Sequence, residues 1–398
     1  MKWRALVLCS LAFSVCHAYR VILSVLLPSL QEEFGMSYAS LSVLASAYDF
    51  GFFLTLIAGG YAAGRLGRKR AVCSGLALIG LSSLASALAA PGPFWLMVYR
   101  VIGGLGFSLY FPAGWSLLAG VFPQQERGRA FGIHTSGSAV GRVYGPLLVG
   151  ALIGWGSWRL PFGSFGFFSL AAALLLLWGL RGFEDSRERS AVPFGNVFNL
   201  LSRKAFLVPC ILNGLAMIYF MGTVNFYPLF LSRQMALSGS AVSWLVSLIS
   251  VVSLFTNPLV GHLSDKVGRR RLIPPALFFG GLVALSLPWY GKQVSPLVYS
   301  GLIGLSLSAN FSLVITYLTE VDPQFGHPLA IGVYNTIAIG SGLIINVIFG
   351  VVADFFGLNA VFLVMAHLLL AGSGAAALLL KAPALPQPAA DSLGNAGG

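Results

Sequence analysis

Acidic residues are scarce in this chain: there are twelve Asp and Glu among 398 residues, and charged types of both signs make up only 9%. A soluble globule carries about 25% charged residues, so too few are present here to clothe a water-facing surface. The four cysteines, Cys9, Cys16, Cys73 and Cys210, all lie inside apolar runs and read as small buried groups rather than a disulfide or metal framework. The sequence holds no Gly-x-x-x-x-Gly-Lys-Ser/Thr phosphate loop, no metal-ligand spacing and no assembly of nucleophile, base and orienting group. These absences exclude ATP-driven work and argue against an enzyme. Neither a cofactor nor a metal is expected.

What the chain has instead is apolar length. Hydrophobic residues make up 57% of it and the mean hydropathy is +0.84, which places most of the chain in a lipid-like solvent. Segments long enough to cross a bilayer run at 5–30, 40–64, 71–90, 94–121, 130–153 and 161–180. A further six follow at 205–231, 240–262, 272–290, 296–318, 328–352 and 358–380. Lys2 and Arg4 before a short apolar run imitate a secretory signal, but the run continues past Arg20 to Leu30, the length of a full span. The expectation is an all-α polytopic membrane protein of twelve transmembrane helices. Two six-helix bundles at 1–180 and 205–380 are joined by a solvated linker at 181–204 and followed by an unpacked tail at 381–398.

The net charge of +12 follows topology rather than nucleic acid, because the cations punctuate apolar runs instead of interleaving with aromatics in one polar domain. Of the twenty-four lysines and arginines, Arg20, Arg100 and Arg142 fall inside spans and Arg159, Arg233 and Lys292 fall in loops of one side. The remaining eighteen share the other side with both termini. Cytoplasmic loops retain positive charge, so both termini are expected in the cytoplasm and the protein in the cell inner membrane.

An internal repeat marks the same two halves. Gly60-Tyr-Ala-Ala-Gly-Arg65-Leu-Gly67-Arg68-Lys-Arg70 recurs as Gly261-His-Leu-Ser-Asp265-Lys266-Val-Gly268-Arg269-Arg-Arg271, at an offset of 201. Parallel repeats of this size with binding at their interface are a common transporter plan. At these residues the chain resembles the major facilitator superfamily, whose signature Gly-x-x-x-Asp-Arg/Lys-x-Gly-Arg/Lys-Arg/Lys is complete in the second copy. In the first copy Gly64 stands where the family usually has an aspartate that makes a charge contact between the halves. Arg100-x-x-x-Gly104-x-Gly106 in the fourth span is similar to another family signature, with a mostly structural role for Arg100. Gly132, Gly141, Gly145 and Pro146 in the fifth resemble a motif frequent in proton-driven exporters. Spacings of nine and four put those glycines on nearly one helix face, so close packing is the simpler reading of them.

A narrower resemblance lies in the first span. Arg20-Val-Ile-Leu-Ser24-Val-Leu-Leu-Pro28 is similar to the Arg-x-x-x-Ser-x-x-x-Pro pattern of the anion:cation symporter family, whose members carry sugar acids and other organic anions. The resemblance implies that Arg20 binds a substrate carboxylate. Tyr19 and Phe107 stand where that family often has acids, so its usual proton carriers are missing.

Counting about 1.5 Å per helical residue from the outer end of each span puts Arg20, Asp49 and Arg142 about 15, 14 and 17 Å deep, near the midplane. Charge there costs about 2.5 to 3.5 kcal/mol per residue on insertion scales, so such groups face a cavity or each other. A buried Arg–Asp pair that locks helices is the plain alternative, but two arginines and one aspartate leave one positive charge over. That excess argues for an anionic ligand at Arg20 and Arg142. Asp49 is the leading proton carrier. His17, on the same helical face as Arg20, is a second candidate, although a histidine there, as at His367, is more often a packing residue.

Neutral polar groups in the second half, among them Tyr219, Asn225, Asn310 and Asn335, suit the hydroxyls or far end of a polar anion, or simply bond neighbouring helices. The reading is a monomeric secondary transporter that moves a small organic anion, carboxylate or sugar acid, by proton symport or anion exchange. A proton-driven multidrug or metabolite efflux antiporter and a non-transporting membrane sensor are the rivals.

Overall fold

The structure is a computed structural model that describes residues 2–182, 197–321 and 328–380. Most of the expected linker and the whole expected tail lie outside the described residues. Thirteen helices occur among the described residues, and no strand. They are α1 (Lys2–Phe34), α2 (Tyr38–Leu66), α3 (Arg68–Leu88), α4 (Pro93–Val121), α5 (Gln124–Ile153), α6 (Arg159–Gly179), α7 (Val197–Ser202), α8 (Lys204–Arg233), α9 (Gly239–Val267), α10 (Arg269–Tyr290), α11 (Pro296–Val321), α12 (Pro328–Phe356) and α13 (Leu358–Leu379). Among the described residues, ten helices are long and apolar enough to cross a membrane. Helix α5 carries Arg142 within a Gly- and Ser-containing stretch.

Large apolar side chains, among them Leu54, Phe94, Phe167, Leu174, Trp244, Phe255 and Phe355, stand exposed on the outside of the bundle. In water such a surface would aggregate, whereas in lipid it is the solvated face. The chain is a multi-pass membrane protein. Several helices run past the apolar limits drawn from sequence: α1 continues from Leu30 to Phe34, and α12 from 352 to Phe356. A helix keeps its backbone bonds where it leaves the apolar layer, so hydropathy marks the lipid-facing part and not the helix end.

Each copy of the repeated loop signature is a one-residue turn. Gly67 sits at φ 93° between α2 and α3, and Gly268 at φ 90° between α9 and α10, a region that side chains with a Cβ rarely adopt. Nearby cations close helix ends: Lys69 Nζ donates to Leu180 O at 2.9 Å, just beyond the last turn of α6, and Arg269 pairs with Asp265. The repeat extends into the packing. Thr55 of α2 donates to Ser108 of α4 at 2.9 Å, and their counterparts Thr256 and Ser308 join α9 to α11 at 2.6 Å.

Helix α5 lies against α1 through glycine. A methyl placed on Gly141 would collide with Ser14 O and stand 3.0 Å from Ala18 N, and one on Gly145 would stand 3.1 Å from Ala18 Cα. Gly137 meets Ser10 O in the same way, while Gly132 has open space around it. Three of these glycines thus form a stripe of backbone-to-backbone contact. Gly141→Ala is expected to cost about 1–3 kcal/mol by forcing the two backbones apart. In thermal unfolding of detergent-solubilised protein its Tm should fall by several degrees, with Gly132→Ala unchanged.

Candidate functional site

The charged centre is built by α1, α2, α4 and α5. Arg20 Nη2 of α1 lies 2.8 Å from Asp49 Oδ1 of α2, with the two side chains 17% and 6% exposed. Asp49 Oδ1 accepts no aligned hydrogen bond, so charge holds the pair more than directional bonding does. Arg142 of α5 donates a long hydrogen bond, 3.4 Å, to Ser138 Oγ one turn earlier. No carboxylate among the described residues pairs with it. Arg20 and Arg142 lie within electrostatic range of each other and of His17. The site therefore carries two guanidinium groups and one carboxylate.

Arg100 is a fastener. Its side chain is 1% exposed, lies against the rings of Tyr19 and Tyr48 at 4.7 and 5.0 Å, and donates to Tyr19 O at 2.8 Å and Arg20 O at 3.2 Å. The rigid guanidinium fork ties α4 to the backbone that carries Arg20. His17 is buried with Nδ1 3.1 Å from Phe13 O. A carbonyl only accepts, so Nδ1 carries the proton and Nε2 is left as the acceptor.

His134 of α5 escapes a reading of the sequence. It is fully buried, neither ring nitrogen has a hydrogen-bond partner, and its ring stacks on Phe13 at 4.4 Å and meets Trp115 edge-on at 5.3 Å. The available signal was its place three residues before Gly137, on the glycine face that touches α1.

In the second half, Tyr219 and Asn225 are engaged with neighbouring helices: Tyr219 Oη lies 2.6 Å from Ser306 Oγ, and Asn225 Nδ2 donates to Asn346 Oδ1 at 3.0 Å. Asn310 Nδ2 donates to Ser306 O of its own helix at 3.0 Å, and its buried Oδ1 has no partner. Asn335 of α12 is partly exposed and has interactions of its own. His367 faces outward on α13, with its Nδ1 2.7 Å from Leu363 O.

Two pseudo-equivalent seams join the halves at the end opposite the basic loops. On one, Asn346 of α12 donates to Ser42 O and Ser46 Oγ of α2 at 3.0 and 2.8 Å, and a methyl on Gly350 would stand 2.7 Å from Ala39 Cα. On the other, Ser247 Oγ of α9 donates to Val143 O of α5 at 2.9 Å, and a methyl on Gly150 would stand 2.6 Å from Ser243 Cβ. The first seam ends on Asp354, whose carboxylate accepts from Tyr38 N at 2.7 Å and Ala39 N at 3.0 Å at the start of α2. An acid there satisfies two orphan donors and the helix dipole together. The second seam ends on an apolar contact between Ile153 and Gly239. Arg233 of α8 adds an ion pair to Glu32 at 2.7 Å and a hydrogen bond to Gln31 Oε1 at 3.0 Å.

With this geometry in hand, kinship is clear. The family model described as Major Facilitator Superfamily matches residues 8–337 and 209–396, and the chain belongs to that superfamily. The sodium-dependent phosphate transport protein 1 of Arabidopsis thaliana chloroplasts is 33% identical over 44% of this chain and 34% of its own length, about a third of that relative. Probable anion transporter 4 of the same plant is 24% identical over 87% of this chain and 70% of its own. The multi-drug resistance efflux pump PmrA of Streptococcus pneumoniae is 26% identical over 82% of each. Among solved structures, a bacterial homolog of the human lysosomal transporter Spinster, inward-facing and unoccupied, superposes with a TM-score of 0.82 at 18% identity over 95% of this chain and 96% of that one. Family and relatives are transporters, not enzymes.

Asp354→Asn is expected to loosen the first seam, because the amide carries no charge for the helix terminus and only one oxygen to accept with. An exposed charge-assisted bond of this kind contributes about 0.5–1 kcal/mol, so a Ser46→Cys reporter should react about two- to fivefold faster with a thiol reagent supplied from the Asp354 face. An unchanged labelling rate would show that Asp354 does not hold this seam.

Proposed function

We propose that the chain is a secondary transporter that carries a small organic anion across the inner membrane, by proton symport or anion exchange, through alternating access of two six-helix halves. The observation that carries this reading is Arg142, a cation in the middle of the bundle with no described carboxylate partner, beside an Arg20–Asp49 pair held by charge. A net positive centre surrounded by lipid is costly unless an anion completes it. The relatives named as phosphate and anion transporters support the same sign of cargo.

All twelve long helices then cross the membrane with both termini in the cytoplasm, as the distribution of lysine and arginine favours. On that orientation the Asp354 and Arg233 contacts close the outer face.

Coupling follows from exchange of partners. An arriving carboxylate takes Arg20 from Asp49 and draws on Arg142 as well. With Asp49 still ionised, the bound anion brings the site to two cations and two carboxylates. A proton on Asp49, favoured because a buried carboxylate stripped of its cation is far costlier than the neutral acid, accompanies the anion in symport and leaves the site at the net charge it had when empty. His17, three residues before Arg20 and within electrostatic range of both arginines, with Nε2 free to accept, is the group that relays that proton in this reading.

A second reading, efflux of drugs or metabolites, is favoured by the similarity to PmrA over 82% of the chain. Uptake by proteoliposomes separates the two. Arg20→Gln should abolish anion uptake by at least about a hundredfold, as loss of a charge-assisted contact in a dry site implies. Asp49→Asn should lose accumulation driven by a proton gradient and retain exchange. A cationic dye moved equally by wild type and Arg20→Gln, with no anion moved, would contradict the anion reading and support efflux.

A further inference from the structure

The two halves repeat at an offset of 200 to 201 residues, as the pairs Gly67 and Gly268, Thr55 and Thr256, and Ser108 and Ser308 show in the fold itself. Carried along α1 and α5, an offset of 200 places Phe220 at the counterpart of Arg20, Met217 at that of His17, and Gly342 at that of Arg142. Arg20, His17 and Arg142 are thus answered in the second half by apolar residues, whereas Asp49, at the offset of 201 that its own helix shows, is answered by Ser250.

These counterparts meet in space. The Arg20 guanidinium carbon lies 5.9 Å from the centre of the Phe220 ring, at the far edge of a cation–π contact. Met217 packs on Gly342, where a methyl would stand 2.8 Å from its Cγ. Phe220 and Met217 are both partly exposed. By contrast, Tyr219 and Asn225 are buried and bonded to Ser306 and Asn346, and Asn310 is buried with its Nδ2 donating to Ser306 O of its own helix and its Oδ1 without a partner.

We infer that the site is bipolar and takes a monocarboxylate on a flat apolar body, an aromatic or alicyclic acid, rather than a polyhydroxylated sugar acid. The inference rests on the proposed transport of an organic anion. The carboxylate sits between Arg20 and Arg142, and the ring replaces the guanidinium edge on Phe220 with its far side on Met217. A sugar acid would bring several hydroxyls against an aromatic ring and a thioether, neither of which replaces the hydrogen bonds those hydroxyls make to water. An aromatic acid loses little on the same transfer and gains offset stacking.

Benzoate and gluconate, equal in charge and opposite in body, test this by titration calorimetry on the full chain in nanodiscs. Wild type should bind benzoate at least tenfold more tightly than gluconate. Phe220→Ala should weaken benzoate about tenfold and leave gluconate unchanged, while Phe220→Leu, which keeps apolar volume and guards against a folding defect, should weaken it about threefold. Arg20→Gln should remove benzoate binding. Gluconate binding more tightly than benzoate, with Phe220→Ala neutral for both and Arg20→Gln still abolishing binding, would overturn the bipolar site while leaving anion transport standing. Failure of wild type to bind either anion would overturn the anion reading and this inference with it.

Discussion

Burying more positive than negative charge halfway through an apolar bundle is the constraint on which the rest of this architecture turns. Arg20 has Asp49 at 2.8 Å and Arg142 has a hydroxyl at 3.4 Å. The two guanidinium groups stand on α1 and α5, which lie closer than ordinary side chains permit. The glycines at 137, 141 and 145 supply that approach by setting one helix on the backbone of the other. Arg100 then fixes the rotation of α1 by donating to the carbonyls of residues 19 and 20, so that Arg20 is aimed from a clamped backbone. Stability and site geometry are the same set of contacts here.

The duplicated half shows what the fold does without that charge. Its helices pack by the same small-residue rules, with Gly304 against Ile249 O as Gly104 lies against Tyr48 O, yet its counterparts of the site residues are Phe220, Met217 and Gly342. The pseudo-symmetry therefore preserves the scaffold and divides the chemistry, leaving the guanidinium groups on one half and apolar counterparts on the other. The seams between halves carry a similar division, since one ends on Asp354 at a helix terminus and the other on an isoleucine against glycine. An exposed carboxylate bond to two amides breaks and reforms readily in water.

Much of the fold was legible because lipid imposes a simple rule on sequence. A run of some twenty apolar residues has few alternatives to a helix, and the repeated Gly67 and Gly268 announced two turns of one shape. The inventory of midplane charges was legible for the same reason: Arg20, Asp49 and Arg142 stand out against apolar neighbours. Their partners were not. Which rotamer reaches Asp49, that Arg142 finds only Ser138, and that Tyr219 turns toward Ser306 depend on how the helices are rotated and packed, which hydropathy does not encode. His134 was hidden because its lack of hydrogen-bond partners is a property of the surrounding helices. Asp354 lay outside the apolar limit of its span, where an acid reads as solvated surface, and only packing of α12 on α2 brings it to the amides of Tyr38 and Ala39.

The central claim is that an organic anion completes the charge balance between Arg20 and Arg142, displacing Asp49 from Arg20. A cryo-electron microscopy structure of the protein in nanodiscs with saturating benzoate tests it most directly. The account predicts carboxylate density within hydrogen-bonding distance of both guanidinium groups, the ring against Phe220, and Asp49 withdrawn from Arg20. Density for the anion elsewhere, with Arg20 still on Asp49 and Arg142 neutralised by a protein carboxylate, would contradict it.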